Sequence, residues 1–291
     1  MWKRILALCV VIALTALAVL LFLRPLFFEG LLERAIDAAF KVRGDYGGKL
    51  RILDRGRWEE ALPGLEVRTL RMGREKNLTS FDLRAVRILL DRFEIQVASL
   101  SPEEMLSADP GRILEARNAV ALINGSFFDR QDRSLGLLVI HGQVVKEKPR
   151  RGADAIFCVK EGRARIVARE SFEGADADFA IQSGPWLVRN GRQVQGFLKP
   201  WLVDRRSALG IDSDARVIFV ATDAIVNGLS LFELSHLLHR PESKGGLGCA
   251  DAVNLDGGTS TQMLFSAGEV RFQVRGFKRV PVFLLVVPKG G

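Results

Sequence analysis

The chain has 291 residues, 48% of them hydrophobic and 26% charged, with a net charge of +8. That length fits one large domain or two small ones, and the balance is that of a globular protein, which excludes long disorder and low-complexity architecture. The basic residues are scattered among acids and do not form the clustered stripe of a nucleic-acid binder, so no nucleic-acid partner is expected.

Ile5 to Leu23 carries no charged residue and follows Lys3 and Arg4. At about 1.5 Å per residue it spans roughly one bilayer. Positive charge ahead of a first span keeps the N-terminus cytoplasmic and sends the rest across. Residues 1–23 are therefore read as a membrane anchor. A cleaved signal peptide is the competing reading, although its only small-residue site, Ala16-Leu17-Ala18, lies inside the apolar run. Leu31, Leu32, Ala35, Ile36 and Ala39 recur at helical spacing, so residues 24–45 read as an amphipathic stalk helix and linker. The main domain is expected at 46–291, on the periplasmic or extracellular side of a cell membrane.

Short strands are expected from Lys49 onward: Leu65–Met72, Leu83–Leu90, Phe93–Val97, and Asn118–Ile123, the last apolar on both faces after its first residue. Ser101-Pro102-Glu103-Glu104 opens a short helix. His141-Gly142, Glu161-Gly162 and Asn190-Gly191 read as hairpin turns, and Val217–Ala221 as a buried strand. Ser230 with Glu233 forms a capping box for a helix that Pro241 ends. Strands at Val253–Asp256 and Val280–Val287 follow. Strands outnumber helices without regular alternation, which predicts an α+β domain with a mixed, largely antiparallel sheet, preceded by an N-terminal transmembrane helix.

The chemistry concentrates at Asn254-Leu255-Asp256-Gly257-Gly258. Strand alternation puts Asn254 and Asp256 on one side, just before glycines that let backbone approach a ligand. Burying two polar positions in a strand costs free energy unless they are used. Asn124 and Asp223 also end apolar strands, and Arg206 shares its strand face with Ala208 and Gly210, which leave room beside a guanidinium. Taken singly, Asn124-Gly125 reads equally as a turn, Asp223 as a strand-end cap and Arg206 as half of an ion pair. Trp186 is either a sugar-stacking ring or a core residue. His236 and His239 fall on an exposed helix face, and no metal or cofactor is expected. Cys158 and Cys249 are expected to be buried free thiols.

Ile123–Asp129 (INGSFFD), Gln182–Gly191 (QSGPWLVRNG), Arg206–Asp212 (RSALGID) and Asn254–Ser260 (NLDGGTS) together resemble the phosphodiester glycosidase family, over roughly Trp58 to Pro288. Ser126 stands where the family usually has a second glycine, and Thr259 where it often has a smaller residue. The resemblance implies cleavage between a sugar's anomeric carbon and a phosphodiester oxygen. It implies Asp256 and Asp223 as catalytic carboxylates and Arg206 as the cation on the departing phosphate. Asn124, Asp129, Asn254 and Ser260 would line the sugar, and Gly257 and Gly258 would offer backbone N–H groups to phosphate oxygens. The expected partner is a carbohydrate phosphodiester of envelope polysaccharide or a related glycan. Two other functions compete: a non-catalytic glycan-binding or assembly factor in exopolysaccharide biosynthesis, and a metal-dependent phosphodiesterase.

Overall fold

The computed structural model describes residues 49–75, 77–107, 109–149, 153–173, 177–197, 202–225 and 227–290. The expected anchor and stalk lie outside them. Among the described residues no helix is long and apolar enough to cross a membrane.

The first five strands are β1 (Leu50–Asp54), β2 (Glu59–Leu62), β3 (Leu65–Arg74), β4 (Asn77–Ile88) and β5 (Phe93–Ser99). Two short helices follow, α1 (Pro102–Ser107) and α2 (Pro110–Ala116), and then β6 (Ala121–Asn124), β7 (Leu138–Ile140), β8 (Gln143–Lys146), β9 (Ala155–Lys160) and β10 (Arg163–Ala168). Next come β11 (Phe179–Ser183), β12 (Trp186–Arg189), β13 (Arg192–Gln193), β14 (Ser207–Asp212) and β15 (Val217–Asp223). Helix α3 (Leu231–His239) precedes β16 (Cys249–Asn254), β17 (Met263–Ala267), β18 (Val270–Val274) and β19 (Val282–Pro288).

These strands form three sheets: a nine-stranded one in the order β1-β3-β4-β15-β14-β16-β12-β13 with β2 beside β3, and two five-stranded ones, β10-β9-β11-β7-β8 and β18-β17-β6-β19-β5. The largely antiparallel expectation holds. The mixed part does not, because every strand pair among the described residues is antiparallel. Short hairpin turns, each with a residue and a glycine at positive φ (His141-Gly142, Glu161-Gly162, Asn190-Gly191), produce that geometry directly.

Strand alternation builds the core. In β15, Val217, Phe219 and Ala221 face the cluster shared with both smaller sheets, while Ile218 and Val220 face a second cluster with α3. The strand is buried on both faces, which is why its sequence is a continuous apolar run. Helix α3 presses Leu234, Leu237 and Leu238 onto the outer face of the large sheet. Its capping box is complete: the Glu233 N–H donates to Ser230 Oγ at 3.2 Å, and the Ser230 N–H to Glu233 Oε2 at 2.8 Å. The same carboxylate receives two 2.8 Å bonds from buried Arg74 of β3. Helix α2 was not expected. Asp109 caps it, accepting from the Gly111 and Arg112 N–H groups, in an Asp-Pro-Gly sequence that reads equally as a turn. Cys158 and Cys249 are both buried and neither is disulfide-bonded. Burial pushes the Cys249 thiol well up, so it stays protonated and inert.

Replacing Ser230 by Ala removes one helix-capping acceptor and lowers stability by about 1 kcal/mol. Urea denaturation checks this, with the slope unchanged and the midpoint lowered.

Candidate active site

The site is organised by one buried amide. Asn124, at the end of β6, has 0% exposure. Its Nδ2 donates to the Asp256 carbonyl at 2.7 Å. Its Oδ1 accepts from Ser207 Oγ at 2.6 Å and from the Gln262 N–H at 3.0 Å. A carboxamide suits this because it offers a donor side and an acceptor side in one rigid plane. Asn124 thus ties its own sheet to the ends of β14 and β16 in the large one. The sugar contact expected of it is corrected: its amide is spent on protein groups, and it positions Asp256.

Asp256 is held from several sides. Its N–H donates to the Gly125 carbonyl at 3.1 Å, and the preceding Leu255 N–H to the Ser207 carbonyl at 2.9 Å. The first glycine is required by space and the second by its backbone angle. A Cβ at Gly257 would stand 2.9 Å from the Arg205 carbonyl, and Gly258, at φ +64°, would point one at the Asp204 carboxylate 3.4 Å away. The expected backbone cradle for phosphate is also corrected. The Gly257 N–H donates to Asp256 Oδ1 at 3.0 Å and the Gly258 N–H to the Arg205 carbonyl at 2.9 Å, so both serve the turn itself. Ser260, at the end of the 3-10 turn Gly258–Ser260, hydrogen-bonds the Asp256 side chain.

The Asp256 pKa is raised, first by burial and further by the negative charge of Asp204. The Ser260 hydroxyl, the Gly257 N–H and the Lys278 charge pull the other way without overcoming burial. A half-buried carboxylate held above its ordinary range, beside a second carboxylate and a lysine, is the electrostatic arrangement of an acid–base group. Asp204 and Lys278 were both missed in the sequence. Asp204 had a signal, since alternation in the sequence would set it on one face with Arg206 and Ala208, although β14 itself begins only at Ser207. Lys278 had none, because it sits in an irregular loop whose N–H reaches the Thr259 carbonyl at 3.1 Å. Its ammonium lies 4.7 Å over the Phe128 ring.

The two adjacent arginines part company. Arg206 gives its Nε to the Leu229 carbonyl at 2.9 Å and one Nη to the Leu202 carbonyl at 2.8 Å. Burial lowers its pKa, and Asp204 and Glu233 balance part of that. The expected phosphate-holding fork is therefore committed to main-chain acceptors. Arg205 is 1% exposed and bonds the Thr261 and Arg275 carbonyls at 3.0 and 2.6 Å. Burial brings its pKa down to about 10. It ties together the loops that carry Ser260 and Lys278.

The other expected residues are dispersed around this centre. Asn254, 4% exposed, donates to the Gly184 and Leu255 carbonyls at 3.1 and 2.7 Å and shapes the strand end. Asp129 closes its own turn: its carboxylate accepts from the Gln131 and Arg133 N–H groups and pairs with the Arg133 guanidinium, bonds that lower its pKa. Trp186 is a core residue, 5% exposed, whose Nε1 donates to the Asp154 carbonyl at 3.3 Å. Asp223, at the end of β15, lies 3.8 Å from Arg84 Nε, lines a cleft with Arg71 and Asp82, and its charge acts on Arg205.

The sheet-built scaffold has counterparts in known proteins. The chain belongs to the phosphodiester glycosidase family, whose sequence profile matches residues 117–287. The catalytic domain of zebrafish N-acetylglucosamine-1-phosphodiester alpha-N-acetylglucosaminidase, auto-inhibited by its pro-peptide, is similar in fold. Its TM-score is 0.60 at 15% identity, covering 87% of this chain and 93% of that one. A hypothetical protein from Synechocystis gives a TM-score of 0.51 at 15% identity, covering 80% of this chain and 64% of that one. An exported protein from Burkholderia pseudomallei gives 0.52 at 12% identity, covering 72% and 74%. No match is found among curated sequences.

Two outcomes are expected. Asn124→Ala strands the Asp256 carbonyl, the Ser207 hydroxyl and the Gln262 N–H, and costs about 2–5 kcal/mol in a denaturation experiment. Asp256→Asn acts oppositely at neutral pH. A carboxyl that holds its proton more tightly folded than unfolded loses stability as pH rises through its unfolded and then its raised folded pKa. The variant should unfold at higher urea than wild type at pH 7, with no difference at about pH 3, below the unfolded value.

Proposed function

We propose that the chain is a glycosidase that hydrolyses the bond between a sugar's anomeric carbon and a phosphodiester oxygen. Membership of the phosphodiester glycosidase family supports the reaction class. The single observation that carries the reading is the half-buried Asp256 carboxyl, fixed in its turn by the Gly257 N–H at 3.0 Å and the Gly125 carbonyl at 3.1 Å, with Asp204 and Lys278 acting on its charge.

A phosphate monoester is already a good leaving group, with a second pKa near ~6, so little acid assistance is needed. The demand falls on activating water and holding the departing anion. In this reading Asp256, ionised, takes a proton from water as the water oxygen bonds to the anomeric carbon. The C–O bond breaks, the electron pair leaves with the phosphate oxygen, and Lys278 stabilises that charge. The products are a free sugar and a phosphate monoester. Asp204 tunes Asp256 through its charge. Arg206 takes no direct part and acts through Asp204.

The same proposal places residues 1–23 in a cell membrane as a single-pass anchor and residues 24–45 as a stalk. Residues 46–291 would then lie on the periplasmic or extracellular side, against envelope polysaccharide. The uncharged run from Ile5 to Leu23 behind Lys3 and Arg4 is the support for this topology.

Hydrolysis in ¹⁸O-water tests the chemistry. Label in the sugar is expected, whereas label in the phosphate identifies P–O cleavage and overturns it. Asp256→Asn should lose about 10²- to 10⁴-fold in rate. Lys278→Met should raise KM for a sugar phosphodiester about 10- to 100-fold, the range for a charged hydrogen bond. It should also move the rising limb of the pH–rate profile to higher pH, because it removes a charge that lowers the Asp256 pKa. An unmoved limb contradicts that role.

A further inference from the structure

The chemistry above asks Lys278 to stand beside Asp256 and to keep its charge for a departing phosphate. A lysine side chain meets that demand poorly by itself, because its long flexible stem has many rotamers and holds the ammonium in no one of them. The main chain of Lys278 is pinned at two points: its N–H donates to the Thr259 carbonyl at 3.1 Å, and its carbonyl accepts from Gln262 Nε2 at 3.2 Å. The far end of the side chain is met by an aromatic ring. The ammonium lies 4.7 Å over the centre of the Phe128 ring. That is inside the ~6 Å over which a ring face attracts a cation.

Phe128 is itself fixed. It belongs to the motif Ile123–Asp129, of which the centre so far uses Asn124 and Gly125. Half-buried, it packs on the cluster that contains Leu122, Val280 and Phe283, and it is bridged antiparallel to Ser134. The turn beyond it is closed. The Leu135 N–H donates to the Phe127 carbonyl at 2.9 Å and the Asp129 N–H to the Arg133 carbonyl at 3.0 Å, while the Asp129 carboxylate takes the Gln131 and Arg133 N–H groups and the Arg133 guanidinium. Asp129 therefore serves the ring by fixing the turn next to it. Three residues before the ring, the Gly125 carbonyl receives the Asp256 N–H at 3.1 Å. One short segment thus touches the turn of Asp256 through its backbone and the ammonium of Lys278 through its ring.

The choice of a ring has a chemical consequence. Arg205 and Arg206 give donors to carbonyls, and Arg133 pairs with a carboxylate. An aromatic face instead attracts an ammonium through its quadrupole, with no opposing charge and no lone pair. We infer that Phe128 is a positioning residue, whose ring holds the Lys278 ammonium beside the Asp256 turn with its charge uncancelled, ready for an anionic oxygen. That this oxygen belongs to a phosphate rests on the glycosidase reading; the placement of Lys278 does not.

The test is the titration midpoint of the Asp256 carboxyl, followed by ¹³C NMR in the full chain and in variants. Removing a cation beside a carboxyl raises its midpoint, so Lys278→Met moves it up. Phe128→Leu keeps an apolar side chain on the cluster and loses the ring face. It should also move the midpoint up, because the released ammonium swings into solvent, whereas Phe128→Tyr should stay at the wild-type value. Adding Phe128→Leu to Lys278→Met should change nothing further, which a purely structural role for the ring would not produce. A Phe128→Leu midpoint equal to wild type, or the same upward shift with Lys278 already gone, overturns the inference. Should Phe128→Leu fail to fold, Phe128→Met takes its place under the same two criteria. With a sugar phosphodiester, Phe128→Leu should raise KM about 2- to 30-fold, the span of a cation–π contact, and Phe128→Tyr should restore it. The titration needs no substrate, so a chain that turns over no sugar phosphodiester contradicts the glycosidase reading alone.

Discussion

The whole candidate centre rests on a demand for hydrogen bonds at a place without water. Where β6 meets the ends of β14 and β16, several polar groups are buried together, and the Asn124 carboxamide satisfies three of them at 2.6–3.0 Å. A buried polar group left unpaired costs on the order of 1–3 kcal/mol, so the junction is fixed by the penalty for breaking it more than by the gain from making it. That constraint joins a five-stranded sheet to the nine-stranded one and sets the Asp256 carbonyl, and hence its side chain, at one position. Gly257 then lets the chain pass under the Arg205 carbonyl, 2.9 Å from where a Cβ would stand, and Gly258 supplies the positive φ of the turn.

Charge is arranged with the same economy. Three of the nearby charged groups do not face an open site. Arg206 is committed to the Leu229 and Leu202 carbonyls, Arg205 to those of Thr261 and Arg275, and Asp129 to its own turn, while Asp223 belongs to the neighbouring cleft. What remains around Asp256 is a short list: Asp204 raising its pKa, and Lys278 and Ser260 lowering it. Burial dominates, and the carboxyl keeps its proton to a higher pH than an exposed one would. Arg205 illustrates the cost of such a centre. It is buried with Nε and one Nη lacking partners, a desolvation burden sustained because its other Nη holds two loops together.

Much of this was legible in the sequence where a local rule is strong. The capping box at Ser230 and Glu233, the Asn190-Gly191 hairpin and the doubly buried run Val217–Ala221 follow from short-range stereochemistry, and the fold contains each of them. The motif Asn254–Gly258 promised a strand running to Asp256, whereas the strand stops at Asn254 and Asp256 lies in the turn that follows. Tertiary partners were not legible. Nothing local tells that Asn124 spends its amide on Asp256, 132 residues away in the chain, or which of two consecutive arginines faces which core. Alternation places Arg205 and Arg206 on opposite faces but does not say which face is lined with carbonyls. Lys278 reaches the site through a loop of no regular period, and the helix at Pro110–Ala116 was hidden by a cap sequence that serves turns as well.

The most direct measurement is the titration of the Asp256 carboxyl itself, by ¹³C NMR on selectively labelled protein. The account predicts a midpoint above the ordinary aspartate value of about 3.9. It also predicts that Asp204→Asn lowers this midpoint, and that the midpoint matches the rising limb of the pH–rate profile. An Asp256 that titrates at or below the ordinary value, unmoved by the loss of Asp204, would contradict it.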